Sequence, residues 1–392
     1  MIDVEKARRD TPGCANKIHF NNAGASLMTL PVINAIRGHL ELEASIGGYE
    51  AADRRAADIQ GFYESAAALL GAKPENIAFT SSATNSFARA LSCVPLAKGD
   101  KVLIATEDYI SNQLALLSMQ HRLGIDLIRV ASLPEGGVDL KDFERLMDLH
   151  KPQLVSLTHI PTNSGLIQPV AEVGKLCKAR NIPYLIDACQ SAGQLPLNVG
   201  ELNCDFLSAT FRKFLRGPRG TGFLFVSDNI LARNWEPSFI DMRGADWTAA
   251  NTYHLRPDAR RFEEWELPYA LVLGAKAAVE YALGIGLGEI RQRNAHLCSL
   301  VRKGIEGMKK LELLDQGREL GSIITIKVSG QQPGELLAAL RDRNVNTSIS
   351  YKDYAVIDFG RKGVEWALRV SPHYFNTEQE VDQLLSIIDA LT

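Results

Sequence analysis

The sequence predicts an α/β protein: a mostly parallel sheet with helices on both faces, followed by a smaller C-terminal αβ domain. Three observations carry this. Between Ile77 and Val226, short apolar runs alternate with stretches of helical period, the mark of repeated strand–helix–strand units. Beyond residue 260, long helical stretches give way to strands at 322–328 and 345–349 and a closing helix over 377–391. The length, 392 residues with 46% hydrophobic content, suffices for two domains with sizeable cores.

Composition excludes several function classes. A formal net charge of −3 and a pI near 6.3 provide no field for nucleic acid. No apolar run approaches the ~20 residues of a membrane span, and the first ten residues lack an apolar signal core. Six cysteines (Cys14, Cys93, Cys177, Cys189, Cys204 and Cys298) show no CxxC and no metal-ligand spacing. A cytoplasmic protein without structural disulfides or a metal site is expected.

Taken in order, residues 17–28 form a short strand ending in the small residues Ala23 and Gly24. A helix over 31–46 follows Thr29, with Pro31 at its start. Gly47 and Gly48 interrupt, and a helix over 54–70 follows. The extended run from Ile77 turns helical at Ser81, Ser82, Ala83 and Thr84. That change creates a helix N-terminus fit for a phosphate, though the same residues also suit an ordinary N-cap. A strand over 101–106 leads to Tyr109, a helix over 112–123, a strand over 125–130 and a helix over 139–149. A buried strand from Gln153 ends in a polar loop containing Asn163, and a helix over 169–180 leads to the apolar run 184–186.

Asp187 closes that run, at the carboxyl end of a strand, where open α/β sheets place ligand chemistry. Downstream, Asp205 to Thr210 is apolar, Phe211 to Lys213 forms a hinge, and Gly217, Gly220 and Gly222 precede a second apolar run, 222–226. A lysine held beside a sheet and stripped of water can deprotonate and attack a carbonyl to form a Schiff base. Its separation from Asp187, 213 − 187 = 26 residues, leaves room for one crossover. A carboxylate and a lysine so placed match the needs of pyridoxal phosphate, whose ring nitrogen one protonates and whose aldehyde the other holds. Taken singly, Asp187 also reads as a helix N-cap and Lys213 as a solvated surface lysine.

The pair resembles the class V aminotransferase family, which includes cysteine desulfurases, selenocysteine lyases and isopenicillin N epimerase-like proteins. The resemblance spans nearly the whole chain and implies a PLP-dependent transferase-like fold of type I with a seven-stranded sheet. It implies an N-terminal arm over 1–24, a large cofactor domain over 25–260, a small domain over 261–392, and a homodimer. By the same resemblance Lys213 and Asp187 are catalytic, Tyr109 stacks on the cofactor ring, and Gln190 and Asn163 meet its phenolic oxygen. Ala83, Thr84, Thr210 and Arg212 hold the phosphate. Arg369 grips the substrate carboxylate, with Ala23 and Gly24 beside it.

The sequence departs from the desulfurases in three places. Where they carry a threonine that reaches the phosphate across a dimer, Glu266 stands here, so that contact is absent or falls to residues such as Arg243. No cysteine follows Cys298, so the segment 348–360 lacks the persulfide nucleophile. Asn346, Thr347 and Ser348 stand where a second arginine is usual, and Tyr351, Lys352 and Tyr354 occupy the loop. The expected reaction is β-elimination of a C–S lyase type on a small α-amino acid. Transamination or epimerisation come next, then desulfuration, and a non-catalytic binding role is the alternative from another class.

Overall fold

The computed structural model describes residues 2–392. Helix α1 (Val4–Arg9) leads to β1 (Ile18–His19) and then to α2 (Leu30–Ile46), α3 (Gly48–Arg54) and α4 (Ala56–Leu70). The stretch after Gly47 is therefore two helices instead of one. Gly47, at φ 99°, ends α2 and lets α3 start in a new direction.

The central sheet comprises β2 (Ile77–Thr80), β3 (Lys101–Ile104), β4 (Asp126–Arg129), β5 (Leu154–Thr158), β6 (Tyr184–Asp187), β7 (Phe206–Thr210) and β8 (Gly222–Val226). Between them run α5 (Ala83–Cys93), α6 (Ile110–Leu123), α7 (Leu140–His150), α8 (Val170–Ala179) and the single turn α9 (Val199–Leu202). The strand order is β2-β8-β7-β6-β5-β3-β4, and only β8 runs antiparallel to its neighbours. Strands β5 to β8 are buried along their whole length, as a sheet covered on both faces requires. Phe62, Phe79, Phe211 and Phe223 pack with ring centroids 5.2–5.8 Å apart and fix α4 to the sheet beside the hinge after β7.

Strand order reverses between β3 and β5, because the chain steps outward to β4 before returning to the other side of β3. Ligands bind at the carboxyl ends of strands beside such a switch point. The register places Thr158 opposite Asp187 and Asp187 opposite Ser208 at those ends.

After α10 (Asp228–Ala232), an antiparallel hairpin of β9 (Ala245–Ala249) and β10 (Thr252–Leu255) stands out from the body, a feature the sequence reading did not anticipate. Helices α11 (Tyr269–Ile285) and α12 (Leu287–Glu306) meet at a 78° bend around Gly286. Helix α11 packs on α2 and α4, so residues 269–285, expected in the small domain, lie with the outer helices of the large sheet. The cause is its composition: Val272, Leu273, Ala275, Ala278, Val279 and Ala282 give it a buried apolar face.

The C-terminal part adds β11 (Leu311–Leu313), β12 (Ile324–Val328), α13 (Pro333–Asp342), β13 (Val345–Asn346), β14 (Ser348–Tyr351), α14 (Val356–Lys362), β15 (Trp366–Val370) and α15 (Glu378–Leu391). Its antiparallel sheet has the order β11-β12-β15-β14. The strand expected over 345–349 is split at Thr347, because β13 pairs with β1 of the arm while β14 joins the sheet. Phe20 of the arm packs into the core built by α12, α13, α15 and this sheet. Among the described residues, no single helix is long and apolar enough to cross a membrane.

Candidate active site

Lys213 lies three residues beyond the end of β7 and is only 5% exposed. The hinge is fixed from several sides. Gly193, at φ 90°, lets its turn approach so closely that a Cβ there would lie 2.5 Å from Leu215 N. The His373 ring nitrogen Nε2 lies 2.9 Å from the Phe214 carbonyl, and Arg216 N–H donates to the Lys213 carbonyl at 2.9 Å. The Lys213 Nζ lies 5.6 Å from the centre of the Tyr109 ring and, among the described residues, has no hydrogen bond or ion pair. Burial lowers its pKa from 10.5 to about 8, Arg212 and Arg369 push the same way, and Asp187 opposes.

Asp187 is buried at the end of β6. Its Oδ1 accepts from Cys189 N–H at 2.8 Å and its Oδ2 from Asn112 Nδ2 at 2.7 Å. Asn112 also donates to Asp108 Oδ1 at 3.1 Å, so a second, half-buried carboxylate stands behind the first. The sequence reading missed both residues. Their signal was present, since a polar pair four apart at a helix start shares one face.

The arm closes another side. Gln190 Nε2 donates to the Ala23 carbonyl at 3.1 Å and to Thr162 Oγ1 at 3.0 Å, leaving Gln190 Oε1 buried without a partner. Arg212 donates to the Gly24 carbonyl and its own carbonyl accepts from Ser26 N–H at 2.8 Å. Arg369, on β15, reaches the Thr162 carbonyl at 3.3 Å and Asn21 Oδ1 at 3.4 Å, and its Nε is buried without a partner. Asn163 points elsewhere: its amide donates to the Tyr354 carbonyl at 3.0 Å. Its neighbour Thr162 stands beside Gln190 and Arg369 instead. Two adjacent polar residues in a loop carry no periodicity to tell them apart, so only the path of the chain decides.

Ala83 and Thr84 are the first two residues of α5, whose leading N–H groups have no partner inside the helix. Ser82 caps the helix by accepting from Asn85 N–H at 3.1 Å. Gly222 makes the approach possible, because a Cβ there would fall 2.6 Å from Ser82 C and 2.7 Å from Ala83 N. Thr210 Oγ1 donates to the Thr221 carbonyl at 3.2 Å. Arg243 turns inward to the buried Glu263 carboxylate at 3.1 Å, so it is not free for a phosphate, and Glu266 is exposed.

Comparison with known proteins bears on this arrangement. The family model described as Aminotransferase class-V matches residues 18–384. A probable cysteine desulfurase of Methanothermobacter thermautotrophicus is 26% identical over 98% of this chain and 97% of its own length. A probable hercynylcysteine sulfoxide lyase of Mycobacterium tuberculosis is 26% identical over 96% and 90%. The apo structure of cysteine desulfurase from Thermococcus onnurineus superposes with a TM-score of 0.92 at 25% identity, over 100% of this chain and 98% of that one. The chain thus belongs to the class V aminotransferase family of pyridoxal-phosphate enzymes, with the type I fold.

Proposed function

We propose that this chain holds pyridoxal phosphate at Lys213 and uses it for β-elimination on a small α-amino acid, breaking a C–S bond. One observation carries the site. Arg212, Lys213 and Arg369 act on one another through their charges, and among the described residues none of them has an ion pair with a carboxylate. Buried cations without counter-charges are costly. A dianionic phosphate and a substrate carboxylate are the charges this cluster lacks. The lone Lys213 amine and the leading N–H groups of α5 at Ala83 and Thr84 fit the same group.

When bound, the cofactor supplies an electron sink for the substrate α-carbon. The chain's own side chains do the rest. Lys213 anchors the cofactor and moves the Cα proton at Nζ, for which an amine with a pKa of about 8 is suited. Asp187 holds a proton at the ring nitrogen, and Tyr109 offers its face to the ring. Gln190 serves the phenolic oxygen together with Thr162, in place of the expected Asn163. The first amides of α5, with Thr210 and Arg212, receive the phosphate. Arg369 receives the substrate carboxylate beside Ala23 and Gly24.

The names of the relatives, desulfurase and sulfoxide lyase, support sulfur chemistry. Relay through the chain's own thiolate is disfavoured. Cys189 is the cysteine beside Lys213 and Asp187, and burial pushes its thiol well above the usual range.

A homodimer is supported by the projecting hairpin and its surroundings. Phe239 is 88% exposed and Trp247 81%, with Met242, Tyr253 and Trp265 also exposed, and an isolated two-stranded hairpin is marginal in water. Six free thiols, five of them buried, fit a cytoplasmic setting. We place the junction between large and small domains at the α11–α12 bend instead of residue 261, and keep the arm over 1–24.

Borohydride reduction of the yellow protein should place the label on Lys213. A panel of amino acids, followed by pyruvate release, should identify an S-substituted substrate. Label on a different lysine would refute the site, and amino-group transfer without elimination would refute the reaction.

A further inference from the structure

Asp108 has no role in the chemistry above, yet it is half-buried and accepts four hydrogen bonds. Its Oδ1 takes Tyr109 N–H at 2.7 Å, Asn112 Nδ2 at 3.1 Å and the Thr158 hydroxyl; its Oδ2 takes Gln113 Nε2 at 2.7 Å. Each donor ties it to a different part of the site. Tyr109 carries the ring beside Lys213. Thr158 ends β5 opposite Asp187 in the register. Asn112 spends its amide group on both carboxylates, reaching Asp187 at 2.7 Å. Gln113 Oε1 in turn accepts from Arg129 Nη1 at 2.7 Å, and Arg129 ends β4.

We propose that Asp108 is a positioning residue for Asp187 and Tyr109, and that it lends the ring-nitrogen side of the site a second negative charge. The inference rests on the cofactor reading above. An amide that donates to Asp108 and Asp187 together can point in one direction only, so Asp108 fixes the donor that fixes Asp187. The Tyr109 backbone is held by the same carboxylate, which ties the ring plane to the charge pair. A negative charge behind Asp187 favours the protonated forms of a group that Asp187 faces.

The charges around Asp108 are few. Asp187 faces it from β6, and Arg129 approaches through Gln113 from β4. Glu107, the next residue in the chain, is turned to Ser164 at 3.1 Å and to Arg361 of α14 at 3.3 Å, where Asp358 and Lys362 also pair. Burial raises the proton affinity of Asp108, the hydrogen bonds from Thr158, Gln113 and Asn112 oppose this, and the Asp187 charge adds to it. All four partners of Asp108 are donors, the pattern that suits an ionised carboxylate, which only accepts.

The test is a spectrophotometric pH titration of the bound cofactor in the holoenzyme, independent of turnover. Asp108→Asn keeps the shape and removes the charge, so the midpoint should fall by about one pH unit. Arg129→Gln removes the opposing charge, so its midpoint should rise by a smaller step. A purely structural role predicts lower thermal stability or cofactor retention in both variants with the midpoint unmoved. Unmoved midpoints, or shifts of the same sign, would overturn the proposal. Should Asp108→Asn not fold, the upward shift in Arg129→Gln decides alone. A wild-type protein that takes up no cofactor would overturn the cofactor reading itself, and this inference with it.

Discussion

Replacing Arg369 with methionine separates its role in binding from its role in the fold. The side chain is buried, and burial, reinforced by Arg212, lowers its pKa to about 10. Inside the chain it makes two contacts to neutral acceptors, at 3.3 and 3.4 Å, near the limit for a hydrogen bond, and its Nε has none. The fold therefore gains little from the charge, and Arg369→Met should leave the apo protein as stable as before, within about 0.5 kcal/mol, or slightly more stable. Substrate binding is a different case. Losing one side of a buried charged pair costs roughly 2–5 kcal/mol. Because the free guanidinium gives up only two long bonds to meet a carboxylate, the loss should fall in the upper part of that range, above ~3 kcal/mol, or about 150-fold in kcat/KM.

The assay compares an S-alkyl cysteine with the amine that lacks only its carboxylate. The loss should appear with the first and vanish with the second. Arg369→Lys should restore a part, since an ammonium cannot form the planar fork. Equal losses on both substrates, or a variant that unfolds well below the wild type, would refute the carboxylate assignment.

Three further outcomes are expected. Only the neutral amine attacks an aldehyde, so covalent capture of added pyridoxal phosphate by the apo protein should rise about tenfold per pH unit below about 8 and level off above it. A rise continuing to pH 10 would mean that Lys213 behaves as a solvated lysine. Offered cysteine and reductant, the enzyme should carry no persulfide on Cys189, whose thiol is kept protonated by burial; mass spectrometry finding one there during turnover would restore the desulfurase reading. Gly222→Ala should push the start of α5 away from the sheet, costing roughly 1–3 kcal/mol of stability, and should weaken cofactor uptake more than substrate binding. Unchanged affinity for the cofactor would show that α5 does not receive the phosphate.

The alternation of apolar runs and helical stretches between Ile77 and Val226 determined the strand and helix content by itself, because strand and helix periods are properties of local sequence. It likewise made Asp187 and Lys213 a candidate pair, since Asp187 closes an apolar run and Lys213 lies in the hinge just after another. Tertiary structure decided what local order cannot. It set the strand order, and with it the switch point between β3 and β5 that gathers Asp108, Thr158 and Asp187. It put Thr162 instead of Asn163 beside Gln190, and it turned Arg243 inward to Glu263. It split the strand near Thr347 by giving Val345 a partner in the arm, 327 residues away from Ile18. The lowered pKa of Lys213 belongs to the same class. It arises from lost water and from Arg212 and Arg369 together, and Arg369 stands on a strand of the other sheet. Such effects depend on distances between segments remote in sequence, and no local pattern encodes them.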